Sequence, residues 1–239
     1  MSFRRSLSAI LAMVADLVGV RSCAVCGEEL LPGEKGLCIR CLSTMPRTSR
    51  QMSAVRYADI FANAVAPQGL TEAWFDYDPS ADWAKMIWQA KYYDSPRLAN
   101  ELGYAFGKEL THIYGAVPVD LLLPVPMHWR KRMSRGYNQS VEIAIGISEA
   151  TGIAVGDNLV AISPHKTQTH KGNEARRENV KGIIAVEHPA ELDGLRLAIV
   201  DDIITTGATM AECVAEISTG GARPASIGFI TLGATIRKS

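Results

Sequence analysis

No stretch of this chain comes near the ~20 consecutive apolar residues a helix needs to cross a bilayer, so no membrane span is expected. Charge of one sign is missing as well: Lys and Arg number 25, Asp and Glu 25, and the formal net charge is zero. That balance excludes a protein whose whole surface wraps nucleic acid, and leaves room only for a local basic patch. Histidine is sparse and scattered (His112, His128, His165, His170 and His188), with no two at zinc-ligand spacing. Internal repeats and low-complexity tracts are absent, and glycine and proline are not in excess. With 239 residues, 47% of them hydrophobic, the chain can bury a core. Its length allows one large domain, or one domain with a small module.

Cysteine is rare but concentrated. Of five, four fall within residues 23 to 41, and Cys213 stands alone in a helical stretch as a small buried hydrophobe. A disulfide framework would be spread through a small secreted chain, so two close pairs read as metal ligands in a reducing, cytoplasmic setting. Cys23 and Cys26 form one C-x-x-C and Cys38 and Cys41 the other, with eleven residues between. Each pair brackets a tight turn, and two such knuckles make a closed Cys₄ site. Four thiolates leave no open position for water, so the expected zinc is structural. Ahead of it, Arg4 and Arg5 precede an apolar stretch that superficially resembles a signal peptide. Asp16 interrupts that stretch, and Leu7, Ile10, Leu11, Val14, Leu17 and Val18 follow helical spacing, so a docking helix is expected.

Downstream, Trp74–Tyr77 reads as a strand, 79–91 as a helix and Pro96–Leu110 as another, with Lys91 in a solvated join between them. From residue 119 strands and helices alternate. Val119–Pro126 and Leu195–Val200 are apolar apart from Asp120 and Arg196, as expected of strands buried on both faces of a parallel sheet. Helices are expected over Asn138–Ala150 and Ala208–Ser218, and a last strand over Ala225–Leu232. This order implies right-handed crossovers and a ligand at the carboxyl ends of the strands.

The chemistry concentrates in Leu197–Thr209. A buried strand ends in Asp201 and Asp202, and the short loop Thr205-Thr206-Gly207 feeds directly into the helix opened by Ala208 and Thr209. Backbone N–H groups at a helix N-terminus, with threonine hydroxyls beside them, form a phosphate cradle. Gly207 lets the backbone approach closely, and two carboxylates suit vicinal sugar hydroxyls and Mg²⁺. Each piece has an ordinary explanation (a solvated strand end, a helix cap), but their conjunction does not.

This segment resembles the fingerprint by which type I phosphoribosyltransferases bind 5-phosphoribosyl pyrophosphate (PRPP). Over almost the whole chain the sequence is similar to the ComF/GntX family, competence-associated phosphoribosyltransferase-like proteins with an N-terminal zinc ribbon. The four cysteines match that ribbon. Leu121–Pro126, Arg130 and Arg135–Gln139 match the family's VPVP…R…RG(F/Y)NQ signature, while Thr167-Gln168, Arg176 and Asn179-Val180 match a later segment and Lys91-Tyr92 its Lys-Tyr.

The resemblance implies an α/β type I phosphoribosyltransferase-like parallel sheet with helices on both faces over residues 51–239, preceded at 1–50 by the small helix and ribbon. It implies catalytic roles for Asp201, Asp202, Arg130 and Arg135. Substrate contacts are implied for Val125, Pro126, Met127 and His128 (the pyrophosphate loop), and for Asn138, Thr205, Thr206, Gly207, Ala208, Thr209, Arg176 and Lys91. The basic stretch 163–181 would be a hood over PRPP. Two functions are then expected: PRPP chemistry with Mg²⁺ and an unnamed acceptor, or handling of single-stranded DNA beside competence proteins. For the second, Trp129, Arg130, Lys131, Arg132, Arg135 and Tyr137 would offer stacking surfaces and phosphate partners.

Overall fold

The computed structural model describes residues 21–48, 61, 66–92, 96–127, 133, 135–162 and 184–235. The expected N-terminal helix, the expected hood and the boundary at residue 50 lie outside these residues. In chain order the elements are α1 (Ile39–Thr44), β1 (Gln68–Tyr77), α2 (Ala84–Tyr92), α3 (Pro96–Tyr114), β2 (Leu121–Pro124), α4 (Gln139–Thr151), β3 (Ala154–Val155), β4 (Leu159–Ala161), β5 (Ile184–Val186), β6 (Arg196–Ile204), α5 (Ala208–Thr219) and β7 (Ser226–Thr235). Five strands form one sheet in the order β1-β7-β6-β2-β3, every pairing parallel, while β4 and β5 make a separate antiparallel pair.

The apolar runs explain why the sheet is buried on both sides. Side chains alternate across a strand, so Leu122, Ala198, Val200 and Ile230 face α3 and α4. Leu123, Leu197, Ile199 and Phe229 face α5 and the β4–β5 pair. A strand with one polar face could not occupy the centre of such a sandwich, and β6 does. The expected parallel sheet with helices on both faces is therefore what forms.

Several boundaries differ from expectation, each for a local reason. The helix expected from residue 79 begins only at Ala84, because Asp78 turns the chain first: its Oδ1 accepts from the Ser80 amide at 2.9 Å and from the Ser80 hydroxyl at 2.6 Å. Helix α3 runs to Tyr114, one turn beyond Leu110, and stops at Gly115 with φ +67°. Strand β6 does not end before the acid pair but continues through it to Ile204, still paired with β7.

Glycine sets how closely α3 and α4 meet. A Cβ at Gly103 would lie 2.2 Å from the Ile143 carbonyl oxygen, and one at Gly146 would lie 2.0 Å from that of Asn100. The two backbones touch, and α4 is thereby fixed in position over β6. On the outer side of α3 sits the cysteine module. Arg21 reaches Glu101 at 3.4 Å, Lys35 lies over the Tyr104 ring, and Arg47 grips Glu109 at 2.8 Å. Cys23, Leu37, Cys38, Cys41 and Met45 share one apolar cluster with Trp74, Leu102 and Phe106. The chain leaving α1 then runs antiparallel beside β1: Thr48 N–H donates to Trp74 O at 3.3 Å and Asp76 N–H to Pro46 O at 2.8 Å. The outer strand thus has part of its edge covered, which blunts edge-to-edge association. Among the described residues no helix is long and apolar enough to cross a membrane.

Gly146→Ala is expected to push α3 and α4 apart, costing about 1–3 kcal/mol as overpacking does. Equilibrium urea unfolding would read this as a lowered midpoint; an unchanged midpoint would refute the close-contact reading.

Candidate functional site

The site begins where β6 emerges at the carboxyl end of the sheet. Asp201 Oδ1 accepts from the Ser140 hydroxyl at 2.8 Å and from the Asp202 amide at 2.9 Å. Asp202 Oδ1 accepts from the Ile203 amide at 2.6 Å, while its Oδ2 pairs with Lys91 Nζ at 2.8 Å. Both side chains of that ion pair are largely covered, Lys91 at 22% exposure and Asp202 at 13%. Lys91 is therefore not the solvated join expected from the sequence: it is part of the last turn of α2 and reaches the acid pair.

Beyond Ile204 the loop Thr205–Gly207 leads into α5. Gly207 caps the helix with φ +75°, a left-handed backbone that L side chains rarely adopt. Thr205, Thr206 and Ala208 are exposed, and Asp201 with Ile203 through Met210 lines one open concavity, from which Asp202 is absent. The first amides of α5 have no partner within the helix; that of Ala208 donates to Thr206 Oγ1 at 3.4 Å, and the positive end of the helix dipole lies at this loop.

The Arg135–Ser140 corner is the second wall. Asn138 caps α4, its Oδ1 accepting from the Ser140 amide at 3.2 Å and its Nδ2 donating to Val125 O at 3.0 Å. Val125 N–H donates to Val200 O at 2.9 Å, so both backbone groups of Val125 are engaged and the turn after β2 is locked to β6 and α4. Arg135 donates to the Gln139 side chain at 3.0 Å. The Tyr137 hydroxyl donates to the Ala90 carbonyl, tying this corner to the end of α2 next to Lys91. Pro126 and Met127 are half-buried beside Val125. His128, Arg130 and Arg176 lie outside the described residues.

Burial, and secondly the neighbouring Asp202 carboxylate, push the Asp201 carboxyl up to about 7; Ser140, the Asp202 amide and Lys91 pull against them. Ser140 is the residue that reading the sequence missed. It follows the Asn138-Gln139 pair directly, but a serine near a helix start reads as a cap, and only the fold aims it at Asp201.

The four clustered cysteines form a second centre. One sulfur from each of Cys23, Cys26, Cys38 and Cys41 lies within 4.8 Å of all the others, with Cys26 and Cys38 at 3.8 Å. Gly27, at φ +76°, turns the first knuckle, and Cys38 Sγ caps α1 by accepting from the Cys41 amide at 3.5 Å. The Glu28 amide, foremost, holds the exposed Cys26 thiol down at about 7, whereas burial pushes Cys41 up. Four sulfurs this close become thiolates together only around a cation, and an all-sulfur tetrahedral set suits zinc.

These features define an α/β parallel-sheet protein with a strand–acid pair–loop–helix site and a sulfur-rich centre able to hold a metal. No protein-family model matches the chain. It is similar to DNA utilization protein YhgH of Salmonella typhi, 32% identical over 43% of this chain and 45% of that one. It is also similar to Competence protein F of Haemophilus influenzae, 34% identical over 39% and 42%. With YhgH of Escherichia coli K12 it shares 28% identity over 62% and 65%. The resemblance to the ComF/GntX family is borne out by relatives of these names, although the match spans less than half the length of the first of them. Among solved structures the chain is similar to the PRPP amidotransferase of B. subtilis, with 22% identity, 59% and 30% coverage and a TM-score of 0.40. It is similar too to the purine phosphoribosyltransferase of Pyrococcus horikoshii, with 16% identity, 61% and 85% coverage and a TM-score of 0.33.

The raised Asp201 carboxyl has a consequence for stability. Between its ordinary value near ~4 and about 7 the folded chain keeps a proton that the unfolded chain has lost, so stability falls as pH rises through that window. Asp201→Asn is expected to raise Tm at pH 8 by several degrees, at about 2–4 °C per kcal/mol for a chain this size, and to raise it less at pH 5. Equal gains at both pH values, measured by thermal circular dichroism, would contradict the assignment.

Proposed function

We propose that the chain binds PRPP, or a closely related sugar phosphate, with Mg²⁺ and transfers the phosphoribosyl group with release of pyrophosphate. One observation carries this reading: an acid pair at the carboxyl end of the central parallel strand runs directly into a glycine-capped helix N-terminus. The N–H groups opening α5, with the Thr205, Thr206 and Thr209 hydroxyls, hold the 5′-phosphate. Asp201 and Asp202 accept from the ribose hydroxyls. In the transfer, the bond from the anomeric carbon to a pyrophosphate oxygen breaks and a bond to the acceptor forms, with positive charge building on the ring. Carboxylates holding the ribose favour that charge. Hard carboxylate oxygens are the donor chemistry that suits Mg²⁺; when bound with PRPP it supplies charge neutralisation for the departing pyrophosphate. Arg130, Arg135, His128 and Arg176 are the groups we assign to the pyrophosphate side, and Asn138 and Val125 shape the turn that carries it.

The cysteine cluster is proposed as a structural zinc site of an N-terminal module, residues 1–50, ahead of the catalytic domain at 51–239. Its thiols fit a reducing, cytoplasmic setting. The names of the relatives, DNA utilization and competence proteins, favour a second reading in which the same fold serves single-stranded DNA handling beside competence proteins.

Calorimetric titration with PRPP and with ribose 5-phosphate, each with and without Mg²⁺, tests the first reading. Both ligands should bind, PRPP more tightly and only PRPP with strong Mg²⁺ dependence. Asp202→Asn should weaken binding about ten- to a hundredfold through loss of a charge-assisted hydrogen bond. Gly207→Val should be harsher, since valine resists the left-handed backbone there. Wild-type affinity in both variants would refute the site, and binding of a single-stranded oligonucleotide alone would favour the second reading. For the cysteine centre, protein prepared without chelator should carry about one zinc per chain by mass spectrometry. Cys38→Ser should release it and lower Tm, because metal binding contributes folding energy. Metal-free wild-type protein of full stability would end that assignment.

A further inference from the structure

We propose that Lys91 is a tethered counter-cation of the acid pair, seated on Asp202 and displaced when a divalent cation arrives. The inference rests on the sugar-phosphate reading of the Asp201–Asp202 site and deepens it by naming what the incoming cation must replace.

Three observations carry it. First, the contact has the geometry of a close ion pair, 2.8 Å from Lys91 Nζ to Asp202 Oδ2, and little water reaches either side chain. Screening is therefore weaker than at a surface pair. Second, the carboxylates do not need Lys91 for their orientation. Asp201 Oδ1 is held by Ser140 and the Asp202 amide, and Asp202 Oδ1 by the Ile203 amide. What Lys91 contributes is charge on the one oxygen, Asp202 Oδ2, that the backbone leaves to it. Third, the ammonium arrives from a fixed base. The Tyr137 hydroxyl pins the Ala90 carbonyl at the end of α2, and from there a flexible four-carbon stem spans to the acid pair. A compact point charge on a long stem can swing aside, as a rigid guanidinium fork could not.

The electrostatic consequence is simple. Two acids side by side need a positive partner, and the chain supplies its own in Lys91. A hard divalent cation on the same two carboxylates cannot share Asp202 Oδ2 with an ammonium, and each repels the other. Entry of the divalent ion therefore expels Lys91, whose charge is then free to meet the anionic oxygens of the ligand that accompanies the metal. The exchange gives Lys91 both roles, the ion-pair partner that is observed and the substrate contact that the family resemblance implies.

The test uses the full-length, zinc-loaded protein without sugar ligand, and Mn²⁺ as probe, its free concentration read by electron paramagnetic resonance. Lys91→Gln is expected to bind Mn²⁺ at least about tenfold more tightly than the wild type, because both the competitor and the repulsion are gone. Lys91→Arg, which keeps the charge on a fork that does not swing aside, should bind Mn²⁺ no more tightly than the wild type and release it more readily. If Lys91→Gln binds Mn²⁺ no more tightly, whether both proteins bind or neither does, the proposal is overturned; an equal gain in Lys91→Arg overturns it too.

A second measurement needs no variant. Reductive methylation of the wild type, mapped by mass spectrometry, should label Lys91 more when Mg²⁺ is added, relative to Lys85 on the same helix, whose side chain is 58% exposed. Labelling that ignores Mg²⁺ refutes the displacement. Ribose 5-phosphate binding without any divalent ion depends on the start of α5 and not on Lys91. Its failure would sink the sugar-phosphate reading while leaving the cation exchange to stand or fall on Mn²⁺.

Discussion

Two adjacent carboxylates on a buried central strand repel each other and lack water, and the surrounding structure is arranged around that problem. Asp201 meets it by taking a hydroxyl and an amide hydrogen bond and by holding its proton to higher pH. Asp202 meets it with a backbone amide and the ammonium of Lys91. Neither solution is local in sequence: the hydroxyl comes from the first turn of α4 and the ammonium from the last turn of α2. The positions of those two helices are therefore conditions of the site, not its background.

Close packing supplies those conditions. The backbones of α3 and α4 touch at Gly103 and Gly146, so α4 has no freedom to slide and Ser140 stays aimed at Asp201. Tyr137 couples the start of α4 to the end of α2 through the Ala90 carbonyl, and Asn138 couples it to the turn after β2 through Val125. A stretch that matches a family signature in its sequence, Arg135–Gln139, is in the structure first a joint where three segments are fastened together. Its polar residues largely satisfy protein groups, which leaves the open concavity to β6, the Thr205–Gly207 loop and the opening turn of α5.

The cysteine module has a mechanical part in the same arrangement. It is docked on the outer side of α3 by Arg21, Lys35 and Arg47, and the residues that follow it cover part of the edge of β1. A small domain seldom holds such a knuckle by apolar burial alone, and four sulfurs drawn around a cation would supply the missing cohesion. The same helix, α3, thus carries the cysteine module on one side and α4 on the other.

What the sequence determined by itself is whatever depends on neighbours along the chain. The uniformly apolar runs through Leu122 and Ile199 dictated buried parallel strands, the C-x-x-C pairs dictated a sulfur cluster, and Gly207 after two threonines dictated a left-handed cap at a helix start. The ends of elements were less legible, because β6 extends through its acids only as long as β7 is there to pair with it. Tertiary structure alone decided the partners of the acid pair. Lys91 looked like a solvated residue between helices and Ser140 drew no reading at all, since nothing in their local sequence encodes a carboxylate more than sixty residues away in the chain. Such a pairing exists only once glycine contacts and a buried tyrosine have fixed three helices against one sheet, because an ion pair or hydrogen bond acts over a few ångströms and sequence separation carries no information about that distance.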